Sequence, residues 1–266
     1  MTAARTAITV RGTRLSFVDF GGPGAPLLAL HGHFGRARMW FRIAAELAPS
    51  YRVIALEQRA HGTSERGADL HPDSYVADAA AFARKLGLGP MPVVGHSMGG
   101  VIAFRLAAVE PGLVSALVVI DSDASTEPPV LDLTGWPRRS DTLEELRSGI
   151  EALGIPVADY FLESAVEYED GWGLLFDYDD MMESQRALLG DRWAEWLSSS
   201  ACPALLVNGG DSMLLSTETA REMARRRPNT RLAVFPGRGH WVHDEDPAGV
   251  GAAIRGFLDE TAGPVH

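Results

Sequence analysis

Residues 95–99 read Gly95-His96-Ser97-Met98-Gly99 and follow the apolar run 91–94 directly. The pattern is Gly-x-Ser-x-Gly, and the chemistry it offers is nucleophilic attack by the Ser97 hydroxyl. A serine hydroxyl attacks usefully only when it is exposed and beside a base that takes its proton. A sharp turn from strand into helix presents it, at the cost of strained backbone angles. Two positions before and after the serine, a side chain would collide with neighbouring backbone, which is where Gly95 and Gly99 stand. Gly100 and the run 101–107 continue as a helix. The Met98 N–H stands at the N-terminus of that helix, a place suited to a developing oxyanion.

The elements that must position this serine are legible as periodic segments. Short, wholly apolar runs lie at 26–30, 53–56, 92–94, 116–120, 204–207 and 232–235. Such strands imply burial on both faces, as in a parallel sheet covered by helices. Helical patterns over 40–47, 74–86, 98–109, 217–227 and 248–258 separate most of them. Two antiparallel strands around Gly12 open the chain. The alternation predicts an α/β fold with a doubly wound, mostly parallel sheet. Its ligand crevice lies beyond the strand C-terminal ends.

The alternation stops after Ile120 and resumes at Pro203. The residues between show no convincing strand, and helices are expected over 142–153, 156–168 and 180–197. This predicts a small helical cap inserted after the sixth core strand, with 1–121 and 202–266 as the core and 122–201 as the cap. Charge supports the division: 122–201 holds 18 acidic residues and five arginines, within a chain of 266 residues and net charge −11.

That negative balance argues against nucleic acid as a partner. The cluster Arg225-Arg226-Arg227 closes a helix before Pro228, where cations suit the helix dipole. No run of 18 uninterrupted apolar residues exists, so no membrane span is expected. The single cysteine, Cys202, cannot form an intramolecular disulfide. With no apolar stretch at the N-terminus, this favours the cytoplasm. Oligomeric state is not legible.

The chain resembles the α/β-hydrolases along nearly its whole length outside 122–201. His31-Gly32-His33-Phe34 resembles the family's H-G-x loop, and Glu57-Gln58-Arg59-Ala60-His61-Gly62-Thr63-Ser64 its D-x-R-G-H-G-x-S turn. Glu57 and Ala60 depart from the usual Asp and Gly of that turn, which is structural. The resemblance implies that the His33 N–H joins that of Met98 in an oxyanion hole. It also implies a chain order of serine, acid and histidine, which Ser97, Asp211 and His240 satisfy. His240 would take the serine proton, and a carboxylate would hold the imidazole in one tautomer and stabilise its cation. Asp121, at the end of the preceding strand, is the rival acid, since some members carry it there. His243 is the rival base, although its acidic neighbours Asp244, Glu245 and Asp246 suit a local charge role better.

No metal or other cofactor is expected. His31 with His33, and His240 with His243, are pairs only, and zinc asks for three or four ligands. The segment 122–201 carries nine of the chain's 21 aromatics. An apolar small-molecule pocket is therefore expected, with Phe34, Trp40, Trp136, Trp172, Met181 and Trp241 as candidate walls. The expected reaction is hydrolysis of a carboxylic ester, thioester or lactone through an acyl-enzyme. The same triad could instead serve carbon–carbon bond cleavage, amide hydrolysis or cofactor-free perhydrolysis. A non-hydrolytic binding or biosynthetic accessory role is the alternative of another class.

Overall fold

The computed structural model describes residues 4–155 and 158–261. Arg11 and Gly12 both take positive φ, 50° and 79°, so the chain reverses in two residues. The reversal joins β1 (Ala4–Val10) to β2 (Thr13–Asp19) in antiparallel register. The next elements are β3 (Ala25–Leu30), α1 (Phe41–Leu47), β4 (Tyr51–Leu56), α2 (Pro72–Lys85), β5 (Met91–His96), α3 (Met98–Val109) and β6 (Val114–Ile120).

An inserted segment then carries β7 (Ser125–Thr126), α4 (Leu143–Glu151), α5 (Ala158–Leu162), β8 (Ala165–Tyr168), β9 (Gly171–Leu174), α6 (Tyr178–Leu188), β10 (Gly190–Asp191) and α7 (Trp193–Ser198). The sheet resumes with β11 (Ala204–Gly209), α8 (Thr217–Arg226) and β12 (Thr230–Phe235), and closes with α9 (Val242–Glu245) and α10 (Pro247–Thr261).

Eight strands form one sheet in the order β1-β2-β4-β3-β5-β6-β11-β12. β2 meets β4 antiparallel, and every pairing from β4 onward is parallel. The apolar runs fill both faces. Val53, Ala55, Val118 and Val207 pack against Ile43 and Leu47 of α1 and Ile254 and Phe257 of α10. Leu28, Val93, Leu117 and Leu206 face α2, α3 and α8 through Phe82, Phe104 and Met223. The sheet is thus doubly wound as expected, with the C-terminal ends of β3, β5, β6 and β11 side by side.

The inserted segment is not purely helical. The expected helix over 156–168 is α5 followed by β8, and Pro156 and Val157 lie outside the described residues. Gly171 takes φ 117°, a conformation closed to ordinary helical residues, and turns β8 back onto β9. The expected helix over 180–197 is broken at Gly190, φ 119°, where β10 pairs with β7. α7 packs beneath α3, with Trp196 edge-on to Phe104 at 5.7 Å and its indole N–H donated to the Met223 carbonyl at 3.0 Å. Among the described residues no helix is long and apolar enough to cross a membrane.

Candidate active site

β5 delivers Ser97 and α3 begins one residue later. Ser97 sits at φ 53°, ψ −122°, the strained presentation that its surrounding glycines permit. A Cβ on Gly95 would lie 2.1 Å from the Gly99 carbonyl oxygen, and one on Gly99 2.2 Å from that of Leu30. Both positions are closed to any side chain. The Ser97 N–H is tied to the Ile120 carbonyl at 3.0 Å, which fixes the turn to the end of β6.

His240 follows β12 and is buried with its ring against His96, centroids 4.6 Å apart. The His96 Nε2–H donates to the His240 carbonyl at 3.0 Å, so the residue preceding the serine holds the histidine's backbone. His240 Nδ1 lies 2.7 Å from Asp121 Oδ2.

The carboxylate on the His240 imidazole is therefore that of Asp121, the rival acid, and not that of Asp211. The Asp121 side chain is fully buried and also accepts from the Gly209 N–H at 2.9 Å, the Asn208 amide at 3.2 Å and the Ser212 hydroxyl at 2.5 Å. Asp211 is exposed. Its backbone N–H is bound to Arg238, and the tight turn with Ser212 N–H on the Gly209 carbonyl sends its carboxylate outward. β6 and β11 are parallel neighbours with Ile120 opposite Val207, so Asp121 stands level with Asn208. Asp211 lies three residues further, beyond the turn.

Ser97, Met98, His33, Asp121 and His240 all line one cavity of about 600 Å³. Among the described residues neither the His33 nor the Met98 backbone N–H is claimed by a protein acceptor. Phe34 and Trp241, two of the candidate walls, line the cavity. The other four candidate walls do not. Trp40 lies on the far side of the sheet against His243, ring centroids 5.5 Å apart, and Met181 is fully buried in α6. Trp136 supports Phe161 edge-on at 4.9 Å from behind, and Trp172 sits on the β8–β9 hairpin bound to Ser140. In their place the segment supplies Tyr160, Phe161, Leu131, Gln185 and Leu188. Wall position depends on how α5 and α6 rotate, which an aromatic count does not encode.

His31 and His33 have settled partners. Burial drives His31 down to about 4; its Nδ1–H donates to Gly32 and its Nε2 accepts from the Gln58 N–H at 3.0 Å. His33 Nε2 lies 3.0 Å from the Ser184 hydroxyl, and burial pushes its pKa to about 3. His243 packs on His96 at 4.2 Å with its ring 3.8 Å from Asp244, and among the described residues it makes no bond to Asp121. Glu57 is buried, accepting from the Thr63 N–H at 2.9 Å and from Arg36 Nε at 3.3 Å. Ala60 takes φ 60° where the family's turn usually has glycine, so the departure costs strain without touching the cavity.

A sequence model of the alpha/beta hydrolase family matches residues 27–253. The chain is 26% identical to an sn-1-specific diacylglycerol lipase of Danio rerio, over 96% of this chain and 84% of that one. It is 28% identical to the 2-(acetamidomethylene)succinate hydrolase of Mesorhizobium japonicum, over 90% and 89%. The crystal structure of an alpha/beta hydrolase from Novosphingobium aromaticivorans superposes with a TM-score of 0.81 at 26% identity, covering 97% of this chain and 98% of that one. The family match spans most of the sequence and the sheet order agrees with it: the chain belongs to the alpha/beta hydrolase family.

Proposed function

We propose that this hydrolase cleaves a carboxylic ester, thioester or lactone of an apolar small molecule through an acyl-enzyme at Ser97. The observation that carries the reading is the strained Ser97 sharing a cavity with His240, whose imidazole is held by a buried carboxylate. Ser97 Oγ attacks the carbonyl carbon while His240 Nε2 takes its proton. The carbonyl oxygen becomes an oxyanion held by the N–H groups of Met98 and His33. As the bond to the leaving group breaks, His240 Nε2 returns the proton to the departing oxygen or sulfur. Water then repeats the sequence on the acyl-enzyme, releasing the acid and restoring Ser97. The single free, buried Cys202 is consistent with a cytoplasmic setting.

A fluorophosphonate probe should label the wild-type protein and leave Ser97→Ala unlabelled, read by intact-protein mass spectrometry. Equal labelling of both would end the assignment.

The cavity also speaks to charge. Its acidic lining includes Asp123 and Glu127, and among the described residues no lysine or arginine lines it. Two unit charges about 8 Å apart interact by about 2 kcal/mol at an effective dielectric of about 20. A carboxylate on the substrate is therefore penalised. This separates the chain from the dicarboxylate that its Mesorhizobium relative's name describes. The kcat/KM for p-nitrophenyl butyrate should exceed that for the mono-p-nitrophenyl ester of succinic acid by at least about tenfold. A preference for the charged ester would redirect the substrate class.

A further inference from the structure

The loop that carries His33 is held in place from the inserted segment. The Tyr160 hydroxyl donates to the His33 carbonyl at 3.0 Å, and the Ser164 hydroxyl to the Phe34 carbonyl at 2.8 Å. Both side chains are buried, Ser164 almost completely. A third tie runs from the His33 ring to Ser184 on α6. Between the two anchored carbonyls, Phe34 takes φ 66°, a left-handed conformation that a bulky residue keeps only when its surroundings enforce it.

The loop is shaped to receive the tyrosine. A Cβ on Gly32 would lie 3.0 Å from the Tyr160 hydroxyl oxygen, and one on Gly35 2.8 Å from it. The two glycines of His31-Gly32-His33-Phe34-Gly35 thus form a notch that the hydroxyl fills. The ring itself is wedged against Trp241, centroids 5.3 Å apart, immediately after His240. Burial pushes the phenol pKa up, so the hydroxyl keeps its proton and acts as a donor.

We propose that Tyr160 and Ser164 are positioning residues of the oxyanion hole: their hydroxyls fix the backbone on either side of Phe34 and so aim the His33 N–H at the reacting carbonyl oxygen. The inserted segment is then part of the catalytic apparatus as well as a wall of the pocket. The inference rests on the acyl-transfer reading above and adds to it that the core alone does not complete the hole. Displacement of a catalytic donor by a fraction of an ångström is expensive in rate, because the donor must meet charge that exists only in the transition state.

The test compares Tyr160→Phe and Ser164→Ala with wild type, using turnover of p-nitrophenyl butyrate and inhibition by an aryl trifluoromethyl ketone. The ketone's adduct with a serine carries the oxyanion. Each variant should lose about tenfold or more in kcat, with KM within about twofold, and the ketone's Ki should rise by the same factor as kcat/KM falls. A purely structural role would not move Ki and kcat together while sparing KM. Tyr160→Phe keeps the ring against Trp241, and Ser164→Ala is an independent route should the first variant fold poorly. Folded variants with kcat and Ki within about twofold of wild type would overturn the proposal. A rise confined to KM would overturn it too, by assigning the hydroxyls to ground-state binding. A wild-type protein that neither turns over the ester nor reacts with fluorophosphonate would instead sink the hydrolase reading.

Discussion

Asp121→Asn should lower kcat on p-nitrophenyl butyrate by about 10⁴-fold, whereas Asp211→Asn should leave it within about twofold of wild type. The asymmetry follows from what each carboxylate touches. Asp121 Oδ2 accepts the His240 Nδ1–H at 2.7 Å, which leaves Nε2 free to take the serine proton. An asparagine amide placed there donates instead. It forces the imidazole proton onto Nε2 and removes the negative charge that balances the imidazolium. The bonds to the retained oxygen survive the change, since a carbonyl oxygen still accepts from the Gly209 N–H and the Asn208 amide, whereas the Ser212 hydroxyl, already accepting from the Leu214 and Leu215 N–H groups, loses its acceptor. The variant should fold with a modestly lowered melting temperature, and one still well above the assay temperature would show that the loss is chemical. Asp211 is exposed, and its carboxylate has no bonding partner among the described residues. Should Asp211→Asn prove the damaging change, the acid would be reassigned to the β11 turn and the bond at Asp121 would become a structural one.

The same pair shows how far the sequence reaches. Ser97 and His240 were legible because each is tied to a local pattern: glycines at fixed offsets for one, the Gly239-His240 step after the last strand for the other. The acid was not, because β6 and β11 are adjacent parallel strands and each ends in an apolar run followed by an aspartate. Chain order admits both. What decides is the path of a turn: Gly209-Gly210 carries the chain past the crevice so that Ser212 points inward and Asp211 outward. The polar residue Asn208 near the end of an otherwise apolar β11 was the available signal, since a fully buried amide needs partners and Asp121 is one of them, beside Leu215 and Thr217. The sheet was readable from wholly apolar runs. The short strands at 165–168 and 171–174 were not, because their mixed, half-buried character overlaps with that of a helix end. The bonds from Tyr160 and Ser164 to the loop at 33–34 join residues some 130 positions apart, with no periodicity to announce them.

Acidification should unfold this protein cooperatively, with a midpoint near pH 5, because the fold keeps its interior histidines neutral. His31, His61, His96 and His243 are all buried. Burial drives His31 to about 4 and His33 and His61 to about 3, and lowers His96 and His243 as well, His243 against the opposing pull of Asp244. Among the described residues His61 Nε2 and His243 Nδ1 have no partner that could stabilise an added proton. In the unfolded chain these groups titrate near 6.5. Above that pH neither state is protonated and their contribution is constant. As pH falls below it, the unfolded chain takes up protons that the folded state refuses, so stability is lost progressively toward the folded pKa values. At pH 5 the loss is about 2 kcal/mol for each of His31, His33 and His61, about 6 kcal/mol for the three, and His96 and His243 add to it in the same direction. That is comparable to the whole net stability of a typical domain, about 5–15 kcal/mol. The Asp78 and Asp123 carboxyls, pushed up by burial, work against the trend, two groups against five. Circular dichroism and tryptophan fluorescence followed from pH 8 to pH 4 should trace coincident transitions. The slope of stability against pH should report an uptake of about three or more protons on unfolding. A protein equally stable at pH 4.5 and pH 7.5 would mean that these imidazoles gain protons within the fold, and their neutrality would have to be abandoned.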